Sequence, residues 1–241
     1  MLRTVRLYRR EYRNFRRETG FKVPVPHLVR HFSTWSRKKT AECRPVDDRI
    51  PWMTFEAIRF LGQFVTPSSR VFEWGMGGST LFFLDHTSQV VSVDHDPVWF
   101  DRLQGILQGN KGWVGHKVEP KRLTGSETLD PTDSDLYGSS NPDFKHHSFE
   151  DYVRVIDRYD DASFDVIVVD GRARPACTKH AISKLRTGGV IVLDNAERAQ
   201  YHRIHEMLSN SQNWHRIDCS GPAPYAKHFW STVIWRKLSS P

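Results

Sequence analysis

The sequence predicts an α/β domain built on a doubly wound, mostly parallel sheet with an antiparallel C-terminal edge. Three observations predict it. Short apolar runs end in acids at Glu73, Asp94, Asp170 and Asp194, and strands buried on both faces of a parallel sheet read as such near-continuous runs. The stretches between the runs repeat their apolar residues at helical spacing, and strand alternating with helix builds a parallel sheet with crossover helices. The first run is followed at once by Gly75, Gly77 and Gly78, which let the chain turn tightly from strand into helix because glycine carries no Cβ.

Taken in order, Leu2, Val5, Tyr8, Tyr12 and Phe15 stand among arginines at about helical spacing, which predicts an amphipathic helix over residues 1–20. Pro24 and Pro26 end it, and Arg37-Lys38-Lys39 marks a polar link. Residues 1–45 are therefore read as a basic, partly helical arm and 46–241 as the domain. Phe55, Ile58, Leu61 and Phe64 form a helical stripe with Thr54 as its cap. After the 70–74 strand and its glycine turn, Ser79 or Thr80 caps the next helix. The second strand runs 90–94, Pro97 starts a helix to about Gln108, and 113–118 is the third strand. Residues 119–148 are polar and aperiodic, a loop insertion of the length that forms lids or binding loops. Phe149, Tyr152, Val153, Ile156 and Tyr159 mark a helix before the fourth strand at 164–170. A helix over 175–185, a fifth strand at 190–194 and a helix over 198–208 follow. Two last strands, 214–219 and 229–236, close the edge.

Ligands of such sheets bind outside the carboxyl ends of the strands, where these acids converge. Asp94 lies 21 residues after Glu73, close to the ~20-residue spacing at which a second-strand carboxylate holds a ribose. A dinucleotide fingerprint asks for a third glycine near position 80, where Thr80 stands. A carboxylate at Glu73 suits a ligand with an amino group better than it suits a pyrophosphate. Together, Glu73-x-Gly75-x-Gly77-x-Ser79-Thr80 and Val93-Asp94 resemble the cofactor site of class I S-adenosylmethionine-dependent methyltransferases, over residues 50–237. The resemblance implies a Rossmann-like methyltransferase fold and S-adenosyl-L-methionine as cofactor. It sets the glycine loop by the methionine part and the second-strand acid, Asp94, at the ribose; Glu73, Gly75, Gly77, Ser79, Thr80 and Asp170 are counted with Asp94 as cofactor-binding, and His95, next after the ribose acid, is expected near the adenine. A Rossmann-like domain binding another nucleotide is the competing reading.

A narrower resemblance concerns the remaining acids. In metal-dependent catechol- and caffeoyl-type O-methyltransferases an Asp ending the fourth strand and an Asp-Asn pair ending the fifth hold a divalent cation, and Asp170 and Asp194-Asn195 match those positions. It implies Mg²⁺ on Asp170, Asp194 and Asn195, where oxygen-only ligands suit a hard cation. The alternative is that Asp194-Asn195 caps the next helix without metal. Asp170-Gly171-Arg172-Ala173-Arg174 departs from that family, with arginines and no lysine where its general base stands. An anionic substrate held by Arg172 or Arg174 would suit this sequence. Asp170 and Arg172 are thus candidate catalytic residues. His146 and His147 lie in the loop insertion, as bases or as plain surface histidines, and His147 is the candidate taken. Tyr225 and His228, before the last strand, are candidate substrate contacts, while His202 and His205 receive no role.

Composition bounds the rest. The 241 residues are 38% apolar with a mean hydropathy of −0.56, and no apolar run approaches the ~20 residues of a membrane span. Cys43, Cys177 and Cys219 form no C-x-x-C pair, which points to a reducing, cytoplasmic setting over a disulfide framework or zinc site. Residues 1–40 hold 12 Lys/Arg against 2 Asp/Glu, a net of +10, while the remainder nets −3. The arm admits three readings: it lies peripherally on an anionic membrane, touches a polyanion, or packs on the domain with its arginines solvated. The function expected is methyl transfer to an oxygen of a small molecule or saccharide. The rivals are a nucleic-acid methyltransferase and a non-catalytic nucleotide-binding scaffold recruited by its arm.

Overall fold

The computed structural model describes residues 2–40, 44–209 and 212–238. The chain opens with helices α1 (Leu2–Thr19), α2 (Val25–Lys38), α3 (Pro45–Asp48) and α4 (Phe55–Phe64). Strands and helices then alternate: β1 (Arg70–Trp74), α5 (Gly78–His86), β2 (Gln89–Asp94), α6 (Pro97–Leu107) and β3 (Trp113–Lys117). A two-residue ribbon, β4 (Lys121–Arg122) with β5 (His147–Ser148), ties the ends of the 119–148 insertion. The chain returns to the sheet through α7 (Glu150–Val153), β6 (Phe164–Val169), α8 (Arg174–Lys184), β7 (Leu185–Leu193), α9 (His202–Ser209), β8 (Trp214–Gly221) and β9 (Trp230–Lys237).

Seven strands form one sheet in the order β3-β2-β1-β6-β7-β9-β8. β3, β2, β1, β6 and β7 are mutually parallel, and β9 runs antiparallel to both β7 and β8. β6 lies at the centre because Phe-Asp-Val-Ile-Val-Val is buried at every position, so both faces need cover from helices. The sheet turns away from β1 in both directions, β2 on one side and β6 on the other, which opens a crevice at the carboxyl ends of these strands.

Local chemistry explains where the structure departs from the periodicity. Pro24 and Pro26 do not only close α1; they open α2, with Pro24 as N-cap and a proline in its first turn, where a missing N–H costs nothing. Thr54 precedes α4, but its hydroxyl donates to Cys219 O and caps no helix N–H. The 149–159 helix is split into α7 and a 3₁₀ segment over Arg154–Arg158. Cys177 and Cys219 are buried free thiols; Cys43 lies outside the described residues.

The arm packs on the domain. Tyr8, Phe15, Val23 and Trp35 bury themselves with Phe55 and Phe229, with the Tyr8 ring centred 4.7 Å from Trp35 and 5.0 Å from Phe229. Trp35 Nε1 donates to Ala226 O at 3.1 Å, and Tyr225 N donates to Lys38 O at 3.1 Å. Beside this seam the buried Glu56 carboxylate receives His31 Nε2 at 2.7 Å and Arg30 Nη1 at 3.2 Å, and pairs with Arg59. The arginines of α1 remain exposed. Its aromatic stripe is thus committed to the protein and not to a bilayer. Among the described residues no helix is long and apolar enough to cross a membrane.

Candidate active site

Two cavities adjoin at the carboxyl ends of the central strands. The first, of about 390 Å³, is lined by the 75–79 turn, Asp94, His95, Asp96, Trp99 and residues 170–172. The second, of about 250 Å³, is lined by Asp170, Asp194, Asn195, Arg198, His228 and Trp230. Trp52 and Asp170 border both.

The turn below the first cavity depends on glycine at two points. Gly75 has φ +93°, and a Cβ there would stand 3.2 Å from the Asp170 carbonyl carbon and the Gly171 nitrogen. Gly78 lies under the chain entering α4, and a Cβ on it would collide with Ile50 O at 2.2 Å. Glu73 braces this turn from beneath: Ser79 Oγ donates to Oε2 at 2.6 Å, Ser92 Oγ to Oε1 at 2.8 Å, and Thr80 Oγ1 also to Oε1. Thr80 Oγ1 in turn accepts from Gly77 N at 3.0 Å. Burial pushes the Glu73 carboxyl up to about 7; the three hydroxyls work against that, and nearby Asp170 adds to it. Neither Glu73 nor Thr80 lines the cavity, so both are corrected from direct ligand contacts to supports of the turn. Gly75, Gly77, Ser79, Asp94, His95 and Asp170 do line it.

Asp94 is oriented by the chain on both sides. Its Oδ2 accepts from Met76 N and its Oδ1 from Asp96 N, each at 3.0 Å. Arg172 Nε donates to His95 Nε2 at 3.3 Å, and His95 Nδ1 lies 3.3 Å from Asp94 Oδ1. Asp96 and Trp99 are among the lining residues that went unseen in the sequence. Asp96 caps α6 by accepting from Trp99 N at 2.9 Å, and Trp99 Nε1 donates to Met76 O at 2.8 Å. The signal was there: an aspartate directly before Pro97 is a helix start, and its cap contact fixes the residue three further on.

The metal expectation fails on the same ground that makes the second cavity polar. The cation at this edge is Arg174, the first residue of α8 and only 6% exposed. Its Nη2 donates to Asp170 Oδ1 at 3.0 Å and Asp170 O at 2.8 Å, its Nε to Gly171 O at 3.0 Å, and its Nη1 to Asp194 O and Asn195 Oδ1. Asp194 Oδ1 accepts from Thr232 Oγ1 at 2.6 Å and Trp230 Nε1 at 3.0 Å. Burial pushes Asp194 up to about 8, with the Asp170 charge adding to the effect and Arg174 opposing it. With Arg174 already paired to Asp170 Oδ1, and Asp194 Oδ1 already taken by Thr232 and Trp230, the set is a poor one for a divalent cation. Asp170, Asp194 and Asn195 do not fit one.

His147 belongs to neither cavity. It sits in β5 opposite Arg122, its ring centred 5.7 Å from Phe144 and its buried Nδ1 without a hydrogen-bond partner among the described residues. The candidate base is therefore not at the strand ends, because the ribbon fixes His147 at the root of the insertion. His228 lines the second cavity, while Tyr225 instead donates its hydroxyl to Asp48 Oδ2. Trp52, Arg198 and Trp230 carried no sequence signal; only the tertiary fold brings them to the site.

No protein-family model and no curated protein matches the chain by sequence. Solved structures do match by shape. The O-methyltransferase TomG of Streptomyces achromogenes, solved with SAM, is 15% identical with a TM-score of 0.57, over 86% of this chain and 95% of its own. An O-methyltransferase of Bacillus cereus solved with SAH is 13% identical with a TM-score of 0.55, over 95% of this chain and 99% of its own. A Geobacter sulfurreducens methyltransferase is 12% identical with a TM-score of 0.50, over 91% and 92%. At these identities the likeness is one of fold: the chain has the Rossmann-like architecture found in methyltransferases, closed by an antiparallel edge.

Proposed function

We propose that the protein is an S-adenosylmethionine-dependent methyltransferase acting on an oxygen of a small-molecule acceptor. The observation that carries this reading is the pair of adjoining cavities meeting at Trp52 and Asp170. One has the features of a nucleoside site, the other those of an acceptor site. The residues of the first fit the cofactor: backbone approach at Gly75, a fixed acceptor at Asp94, and the flanking rings of His95 and Trp99. When bound there, S-adenosylmethionine supplies a sulfonium methyl open to direct displacement.

The protein's own part is alignment and proton handling. Asp94 accepts from ribose hydroxyls. Asp170 has Oδ1 held by Arg174, which leaves Oδ2 to accept the proton of an acceptor hydroxyl at the junction. Burial raises the Asp170 carboxyl, against the pull of Arg174, Arg198 and Arg172, and a raised carboxylate is a better proton acceptor. Trp52, His228 and Trp230 supply ring faces that fit a planar or sugar ring and exclude water from it. Two of the similar structures are O-methyltransferases, which favours oxygen as the atom methylated. The reading is tested by incubating the protein with methyl-labelled cofactor and fractionated small-molecule extracts, with mass spectrometry as readout. The expected result is a labelled product whose formation stops in Asp170→Asn. Label incorporated only into nucleic acid, or into nothing, contradicts it.

A further inference from the structure

Behind the junction of the two cavities lies a third, smaller one. Its walls carry Arg172, Arg174, Arg198, Ser139 and Ser140, with no acidic residue among them. Arg174 is spent on Asp170 and the 170–171 carbonyls. The other two pull on Asp170 only through space and hydrogen-bond no carboxylate among the described residues. Arg172 donates only to His95, lies over the Phe144 ring at 5.6 Å, and has no carboxylate partner among the described residues. Arg198 makes no side-chain hydrogen bond or ion pair among the described residues. It reaches both this cavity and the second one.

The two serines point to the same sign of charge. Ser139 Oγ accepts from Asn141 N at 3.2 Å, and Ser140 Oγ accepts from Gln200 Nε2 at 3.3 Å. Neither hydroxyl proton has an acceptor among the described residues, so each serine can still donate. The cavity measures about 20 Å³, room for about one water-sized group. A single oxygen of a larger ligand fits there, with the rest of the ligand in the second cavity. A cationic group entering this third cavity would meet two guanidiniums and no acidic wall residue, an arrangement that repels it.

We propose that the acceptor is anionic: a carboxylate or phosphoryl group inserts an oxygen between Arg172 and Arg198, above the 139–140 turn, while its hydroxyl faces Asp170. Calling this ligand the acceptor rests on the methyltransferase reading; the anion site itself does not. Arginine with hydroxyl donors suits an oxyanion because hydrogen bonds from a charged donor are shorter and stronger than neutral ones.

The test uses the full chain at constant ionic strength. Inorganic phosphate and, separately, benzoate are titrated by calorimetry, with and without saturating S-adenosylhomocysteine. The expected result is saturable binding of at least one probe, weakened at least tenfold in Arg198→Ala and in Arg172→Ala and largely restored in Arg198→Lys. Arg186→Ala, which alters an ion pair with Asp165 at the opposite end of the strands, should leave it unchanged. Which probe binds distinguishes a phosphoryl from a carboxylate acceptor. No binding of either probe, or equal binding in Arg198→Ala, overturns the proposal. Failure of S-adenosylhomocysteine to bind while a probe still binds through Arg198 strikes the methyltransferase reading alone.

Discussion

Glu73 shows how one residue can be found in the sequence for a reason other than its use. It was singled out as a strand-ending acid next to glycines, and that position is real; what it touches is Ser79, Thr80 and Ser92, not the cavity. The direction of a strand-ending side chain depends on which neighbours offer donors, and those are set by the packed turn. The consequence is a pH dependence. Glu73 sits at about 7 and Asp194 at about 8 in the fold, above their ordinary values. The folded state therefore holds protons there that the unfolded chain has released, so the contribution of these two groups is complete below about pH 4 and is lost as pH rises toward 7 and 8. Glu73→Gln keeps the shape without the titration. Relative to wild type it should gain on the order of 1–3 kcal/mol between pH 5 and 8, read from denaturant unfolding. Parallel pH profiles for the two proteins would count against a raised Glu73. Arg174 gives the other prediction at this scale. Because it is the counter-charge of Asp170, excess chelator should leave methyl transfer unchanged. Arg174→Ala should instead destabilise the fold by about 1–3 kcal/mol, because the 170, 171 and 194 carbonyls lose a buried donor. Activity lost to chelator and restored by Mg²⁺ would reverse this assignment.

At the scale of elements, the strands were legible because a buried parallel strand has nowhere to put a polar residue. The short pieces were not. α3, the β4–β5 ribbon and the 3₁₀ segment after α7 are held by contacts distant in sequence, which no local period records. α2 is the instructive case: the two prolines that mark an ending also mark a beginning, and the sequence alone weighed only the first. Its position makes it a support for the second cavity. Trp35 and Lys38 hold the 222–229 loop through Ala226 O and Tyr225 N, and that loop carries His228 into the cavity wall. Trp35→Phe preserves packing but loses the indole donor. It should raise the KM for the acceptor severalfold while S-adenosylhomocysteine affinity holds; equal loss of both would mean a general loosening. The seam is also acid-sensitive. Burial alone would raise Glu56, but Arg59 and His31 pull it down to about 2, so its contribution is present above about pH 4.5 and lost as pH falls toward 2. His31 adds the same sign, since burial lowers its pKa despite Glu56 and charging it below about 6.5 costs stability. Near-ultraviolet circular dichroism of Trp35 should therefore weaken on acidification before the sheet melts. A signal that persists until global unfolding would contradict the account.

For the whole molecule, the charge division seen in the sequence becomes a division of surface. The basic arm lies against the domain with its arginines outward, and the two arginines at the site with no carboxylate partner face the cavities instead. The cofactor half of the site was largely legible, because a glycine turn and an acid at fixed spacing are local features. The acceptor half was not: Trp52, Arg198 and Trp230 come from three distant segments and meet only after the sheet closes. The central claim is that the first cavity holds S-adenosylmethionine through Asp94. Calorimetric titration of S-adenosylhomocysteine into the wild-type protein and Asp94→Ala tests it most directly. The account predicts saturable one-to-one binding that weakens by about 1–3 kcal/mol in the variant, through loss of a charged hydrogen-bond acceptor. Absence of binding to the wild type, or equal affinity in a folded Asp94→Ala, would contradict it.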